Sequence, residues 1–414
     1  YRYSLFDVAH DAWKYDSLTN AYYLHYFSRK QPDLKWENPK VRREVYDVMK
    51  FWADKGIDGF RLDAFQFAAK DTTYPQFPRG FEKHFVRYYG MQGNLHGYLQ
   101  EMNNEVFSRY DVMSVAEGAG NSFEDAHNLV DEDRHELNMA YAFDGVDIAK
   151  PEGYSLLHFK EVFTRWDSAF AENGWLSIFL ANHDQARMVS RFGNDSPQFR
   201  DVSSKMLSTF ILTMRGTPYY YNGDELGMTN PGFERIEDFR DVQTINEYQH
   251  VKNSGGNLSD VFRRLQVSSR DNGRTPFQWD STVNAGFTFG APWIKVAANY
   301  KVINAAEEEK DPNSCLNYFR KLVNLRKANI DVLVYGKYVL LDKANPNVYA
   351  YIREGEGHRM LILLNFSASA NQTRIAFDLS GATLLLSNYK ETPLFKKSNS
   401  TLTLKPYQAA IYKL

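Results

Sequence analysis

From about residue 40 the chain alternates two hydrophobic rhythms, helical periodicity and short apolar runs that end in polar residues, which is the signature of βα units. Val41 to Lys55 reads as an amphipathic helix with Val45, Val48, Met49 and Trp52 on one stripe. Gly56 then closes it, as a glycine just past a helix commonly does. Five strand candidates follow: Ile57 to Asp63, Asp111 to Glu117, Asn138 to Asp144, Leu176 to Ala181 and Thr217 to Tyr221. Helices fall between most of them, the clearest being Leu156 to Ala171 and Val202 to Arg215. This alternation predicts an α/β fold with a parallel sheet covered by helices.

Past Asp224 the periodicity lapses into a polar, Gly-rich stretch to about Asn313, a length that marks a functional insertion. Leu316 to Ala328 resumes as a helix. Beyond about Ala344 the pattern turns to strict alternation, in Val348 to Ile352, Met360 to Asn365, Thr401 to Leu404 and Ala409 to Tyr412, and predicts a small all-β module. The most apolar runs, Met206 to Met214 and Met360 to Phe366, are shorter than the ~20 residues of a bilayer crossing.

Composition changes the picture only by exclusion. The 414 residues are 43% hydrophobic and 24% charged, ordinary for a globular protein with a sizeable core. Lys plus Arg number 49 against 51 for Asp plus Glu, so no electrostatic footprint favours nucleic acid or an anionic membrane. Cys315 is the single cysteine, which rules out an intrachain disulfide and a thiolate metal cluster. Aromatic residues make up 15% of the chain, material for a core and for platforms under flat apolar ligand faces such as sugar rings. The chain starts Tyr1-Arg2-Tyr3 with no signal-peptide pattern, and its compartment is unassigned.

Three strand candidates end in an acid: Gly59-Phe60-Arg61-Leu62-Asp63, Ser114-Val115-Ala116-Glu117 and Ala181-Asn182-His183-Asp184. In an α/β barrel the C-terminal strand ends converge on one face and supply catalytic residues there. Arg61 and Asp63, two apart on a strand, share a face, so the guanidinium would hold the carboxyl as an anion, as a nucleophile must be. Glu117 has no neighbouring cation in sequence and is expected to carry a raised pKa suited to proton donation. Two carboxyls in unlike environments are the apparatus of glycoside hydrolysis. The blander readings are a structural Arg-Asp bridge, a solvated loop acid, and for His183-Asp184 a metal pair, which lacks a third ligand in sequence.

Gly59 to Ala64, Ala116-Glu117-Gly118, Ala181 to Gln185 and Gln31-Pro32-Asp33-Leu34-Lys35-Trp36 together resemble conserved segments of the α-amylase family of glycoside hydrolases, most closely its oligo-1,6-glucosidase and α-glucosidase branch. Gly216-Thr217-Pro218, Asn222 to Glu225 and Ser269 to Trp279 resemble the same branch. The resemblance implies a (β/α)8 TIM barrel plus a C-terminal antiparallel β-sandwich, and a retaining exo-acting α-glucosidase that releases glucose from short oligosaccharides without a catalytic cofactor. A transglucosylase or sucrose isomerase is the alternative, and a non-catalytic binding relative a remoter one. By motif, Asp63 is the nucleophile, Glu117 the acid/base and Asp184 the stabiliser of the transition state. Arg61, His183, Arg274, Ala64 and Phe143 are the expected substrate-binding residues, and no metal ligand is expected among them. Gly273 stands where the family commonly has Ala, a change expected to be silent. Ala64 follows the nucleophile where α-1,6 enzymes commonly have Val, which leans the expectation to α-1,4 bonds.

By motif order the first strand here corresponds to the fourth of the barrel. The expected segments are thus 1–36, the end of a domain inserted after strand 3; 37–335, barrel strands 4 to 8 with an insertion at about 225–312; and 336–414, the sandwich. The first three strands, with any structural Ca2+ loop, are expected to lie outside this chain, with a second polypeptide as one source of them. A membrane or nucleic acid is not expected as a partner.

Overall fold

The computed structural model describes residues 2–5, 11–390 and 401–414; residues 1, 6–10 and 391–400, which belong to the first and last expected segments, lie outside the described residues. The chain divides into two compact units, residues 1–143 with 169–177, and residues 144–168 with 178–414.

The first unit opens with an antiparallel pair, β1 (Trp13–Asp16) and β2 (Ala21–Leu24). Helix α1 (Pro39–Ala53) follows, its start fixed by the Asn38 side chain, which accepts from the Lys40 amide at 3.0 Å, and by proline in the first turn. Its buried stripe is Tyr46, Met49 and Ala53, whereas Val48 and Trp52 are exposed, so the burying face is rotated from the one that hydrophobicity alone selects. Strand β3 (Gly59–Leu62) comes next, then α2 (Phe85–Tyr89), α3 (Leu95–Glu105), β4 (Met113–Ala116), α4 (Phe123–Val130) and β5 (Met139–Ala140). Strands β3, β4 and β5 form a parallel sheet in that order, with Arg61 opposite Val115 and Ala116 opposite Ala140. A further parallel bridge joins Ala140 to Leu176. Every strand is shorter than its sequence candidate.

In the second unit α5 (Leu156–Ala169) precedes β6 (Ser177–Ile178), α6 (Met188–Phe192), α7 (Arg200–Thr213) and β7 (Thr217–Pro218), and β6 pairs with β7. The long polar stretch is an ordered insertion holding α8 (Val242–Asn253), α9 (Leu258–Ser268) and α10 (Ala305–Lys310), with its own small apolar cluster around Phe233, Phe239, Val261, Leu265 and Ile294. Helices α11 (Cys315–Ala328) and α12 (Ile330–Leu333) lead into the β module. There β8 (Lys337–Leu341), β9 (Val348–Glu354), β10 (Arg359–Asn365), β12 (Thr383–Ser387) and β14 (Ala409–Lys413) form a five-stranded antiparallel sheet, and β11 (Asn371–Arg374) pairs with β13 (Thr401–Leu404).

The five-stranded sheet is covered on both faces. Tyr349, Tyr351, Ile362 and Leu364 join the cluster of Phe159, Phe163 and Phe210 from α5 and α7, while Val348, Ala350, Leu361 and Leu363 pack with Ile375, Leu379, Leu402 and Leu404. Two-sided burial explains why six consecutive residues of β9 are buried although its sequence alternates. Arg326, fully committed beneath this layer, donates to the carbonyls of Leu212, Met214, Gly216 and Leu333 at 2.6 to 3.0 Å.

Phe210 is 0% exposed, with ring centroids 4.9 Å from Phe159 and 4.8 Å from Phe163. Phe210→Ala is therefore expected to destabilise the protein by about 3–5 kcal/mol through lost burial and the remaining cavity. Denaturant titration checks this; a loss below about 1 kcal/mol would show that the seam between α7 and the β module is loosely packed.

Candidate active site

Strands β3 and β4 run in register, so the residues just past their ends, Asp63 and Glu117, emerge side by side. The Glu117 amide continues the ladder by donating to the Leu62 carbonyl at 3.1 Å. Arg61, one pleat before Asp63 on the same face, then serves both acids: Nη1 donates to Asp63 Oδ1 at 2.6 Å and Nη2 donates to Glu117 Oε1. Glu117 Oε2 accepts from the Ala64 amide at 2.9 Å. Ala64 can point that amide at Glu117 because its backbone is left-handed, with φ 47° and ψ 21°, a conformation that a residue with a Cβ rarely adopts.

The expected raised pKa of Glu117 is present, with a correction to its surroundings. Glu117 does have a cation beside it, brought by the fold and not by sequence neighbours. Its pKa is nevertheless raised, to about 7, chiefly because burial disfavours the anion, and the adjacent Asp63 adds to the shift; the Ala64 amide and Arg61 only partly offset this. Side-chain exposure separates the pair further, 71% for Asp63 against 19% for Glu117. Burial alone would lower the Arg61 pKa, but its two carboxyl partners outweigh that and hold it above the ordinary value. Phe143, also in this unit, lies half-buried in the loop after β5.

The second group lies in the other unit and is described by itself. Asn182 to Gln185 form a tight turn in which the Asn182 side chain accepts from the Asp184 amide at 2.8 Å. Arg274 grips that turn twice, from Nε to the His183 carbonyl at 2.7 Å and from Nη2 to Asp184 Oδ1 at 2.6 Å. Arg270 adds a third contact, Nη1 to the same Oδ1 at 3.1 Å, and its Nη2 meets Asp241 Oδ1 at 2.5 Å. The His183 ring lies 3.4 Å from Asp184 Oδ2 and is half exposed, free to meet a ligand hydroxyl. Arg270 and Asp241 were not singled out by sequence. The four-residue spacing of Arg270 and Arg274 on one turn was the available signal for the first; the second has none, since Asp241 is brought in by the insertion. Among the described residues no group of three His, Cys, Asp or Glu side chains is disposed to hold a metal ion, and no helix is long and apolar enough to cross a membrane.

Comparison with known proteins places this geometry. Residues 3–336 match the α-amylase catalytic domain and residues 338–411 the C-terminal domain of maltogenic amylase. The chain belongs to the α-amylase family of glycoside hydrolases, with that family's TIM barrel and a C-terminal antiparallel β domain. It is 44% identical to an oligo-1,6-glucosidase of Parageobacillus thermoglucosidasius over 97% of this chain and 73% of that protein. It is 40% identical to a trehalose-6-phosphate hydrolase of Bacillus subtilis (strain 168), over 97% of this chain and 72% of that one. The crystal structure of an isomaltulose synthase from Klebsiella sp. LX3 superposes with a TM-score of 0.93 at 38% identity, covering all of this chain and 75% of the other. The catalytic-domain match already begins at residue 3, and so gives no support to the expectation that the first three barrel strands lie outside this chain on a second polypeptide.

A raised pKa in the fold makes Glu117 a stabilising group only while protonated: its contribution is complete below the ordinary value of 4.5 and is lost as pH rises through about 7. Glu117→Gln, neutral throughout, is expected to gain in Tm relative to wild type as pH climbs across that window. Thermal melts of both proteins from pH 4 to 8 test this, and parallel curves would contradict the raised pKa.

Proposed function

We propose that the chain is a retaining, exo-acting α-glucosidase that removes glucose from the non-reducing end of short α-1,4- or α-1,6-linked oligosaccharides. The observation that carries the reading is the shared guanidinium. The two carboxyls share one guanidinium, and a side-chain hydrogen bond between Asp63 and Glu117 is among the causes of the raised Glu117 pKa, a direct contact that supports double displacement over the roughly 6.5–9.5 Å gap an inverting enzyme keeps for its water.

Asp63, exposed and paired with Arg61, attacks the anomeric carbon. The glycosidic C–O bond breaks, and the leaving oxygen takes the proton that burial has kept on Glu117. The β-glucosyl ester on Asp63 is then opened by water as Glu117, now ionised, accepts the water's proton. Asp184, held by two arginines, is assigned to the ring hydroxyls and to the positive charge that develops on the sugar, with His183 and Arg274 beside it. Phe143 is assigned, by the family resemblance, to substrate binding. Ala64 contributes its amide to Glu117 and a small side chain beside the nucleophile, which supports room for an α-1,4 leaving sugar. No step uses a cofactor.

A second reading, glucosyl transfer or sucrose isomerisation, is favoured by the likeness to an isomaltulose synthase. Products from sucrose separate the two: glucose and fructose for hydrolysis, isomaltulose or trehalulose for isomerisation.

Asp63→Asn is expected to abolish glucose release from maltose and isomaltose, and activity near wild type in a coupled glucose assay would sink the assignment. The alkaline limb follows from Glu117: kcat/KM is expected to fall as pH rises beyond about 7, when the proton donor is lost. A profile that stays level to pH 9 would remove Glu117 from that role.

A further inference from the structure

We propose that Gly273 is a positioning residue for Asp184: the missing side chain lets the Arg270–Arg274 turn seat directly on the Asn182–Gln185 turn, and that seating sets the two-arginine grip on the carboxylate. The inference rests on the glucosidase reading above. The backbone does not demand glycine, since Gly273 has φ −80° and ψ −15°, a right-handed conformation open to every residue. Space demands it. A Cβ at this buried position would stand closer than 3.0 Å to the Gln185 carbonyl oxygen, with the carbonyl oxygens of Asn182 at 3.4 Å and Arg270 at 3.6 Å. All three are main-chain atoms, which move only if a turn moves.

The turn has no slack on its other side. The Tyr221 hydroxyl donates to the Gly273 carbonyl at 3.0 Å, and the fully buried Arg187 reaches Thr275 Oγ1 at 3.4 Å and the Asn222 carbonyl at 2.7 Å. Asp271, also fully buried, accepts from the amides of Arg240 and Asp241 at 2.6 and 2.8 Å. A methyl group at 273 therefore forces the two turns apart, and the contacts that stretch are those of the next residue, Arg274, to His183 and Asp184. The exchange for Ala, neutral on sequence grounds, is a steric conflict in this chain.

The test uses the purified full chain with p-nitrophenyl α-glucoside as substrate and 1-deoxynojirimycin as a binding probe. Gly273→Ala is expected to lower kcat/KM by about 10- to 100-fold and to weaken inhibitor binding, the scale of a sub-ångström to 1 Å misplacement. In an Arg274→Ala background the same change is expected to cost less than about threefold, because the contact it disturbs is already gone. A fold loss that is undiminished in that background, or a Gly273→Ala enzyme within about twofold of wild type in both measurements, overturns the assignment. If Gly273→Ala does not fold, Tyr221→Phe unpins the Gly273 carbonyl from the opposite side. It is expected to cost several-fold in kcat/KM in the wild type and nothing measurable with Arg274→Ala; an unaffected Tyr221→Phe overturns the proposal. A wild type that neither hydrolyses the glucoside nor binds the inhibitor overturns the glucosidase reading and this assignment together, whereas an active wild type with a silent Gly273→Ala overturns this assignment alone.

Discussion

One guanidinium shared by two carboxyls is the interaction on which the chemistry of this protein depends. Two carboxylates side by side repel, and in a partly buried setting the repulsion raises the pKa of at least one of them. Arg61 partly offsets that repulsion, and burial raises the Glu117 pKa above its ordinary value: Glu117 lies deeper and Asp63 faces outward. The contrast between Asp63 and Glu117 thus follows from depth along two neighbouring strands, since one cation touches both. The parallel register of β3 and β4 is what makes that sharing possible, because a slip of one residue would turn Arg61 to the opposite face from Glu117.

Asp184 is organised by the opposite principle. It is a single carboxylate with two guanidiniums on one oxygen, which leaves its second oxygen for His183 or for a ligand. Both arginines come from the middle of the long polar insertion, and Asp241 in the same insertion anchors one of them. Burial alone would lift the Asp241 pKa, but hydrogen bonds from Arg270 and Thr244 outweigh it and hold the acid below its ordinary range. The insertion is therefore part of the site's electrostatics and not a decoration on the barrel.

What was legible in the sequence was whatever depends on near neighbours. The alternation of βα units, the Arg61-Asp63 pairing and the β module could be read from spacing, because period and parity are local properties. What escaped the sequence depends on distant contacts. The cation beside Glu117 comes from a strand 56 positions away. The buried face of α1 is set by what packs on it, with Tyr46 in place of Val48 and Trp52. The insertion reads as a polar gap because its apolar cluster is small and its helices are held largely by caps and ion pairs, such as Asn257 on the first turn of α9. Gly273 is the sharpest case, since a glycine in an ordinary conformation carries no signal until the carbonyl it faces is known.

Ala64 shows how strain and chemistry meet in this fold. A left-handed alanine costs of the order of 1 kcal/mol or more relative to a relaxed backbone, and glycine at the same place would relieve that cost. The conformation persists because it turns the Ala64 amide onto Glu117, a hydrogen bond to an acid that strengthens as the acid becomes ionised. The same amide bond opposes the burial that raises the Glu117 pKa, so the backbone directly after Asp63 tempers the Glu117 carboxyl. Asp63 and Glu117 are consequently coupled twice, through the Arg61 side chain and through the main chain at residue 64. A change that relaxes the backbone at residue 64 should therefore reach Glu117 even though it leaves the Arg61, Asp63 and Glu117 side chains in place.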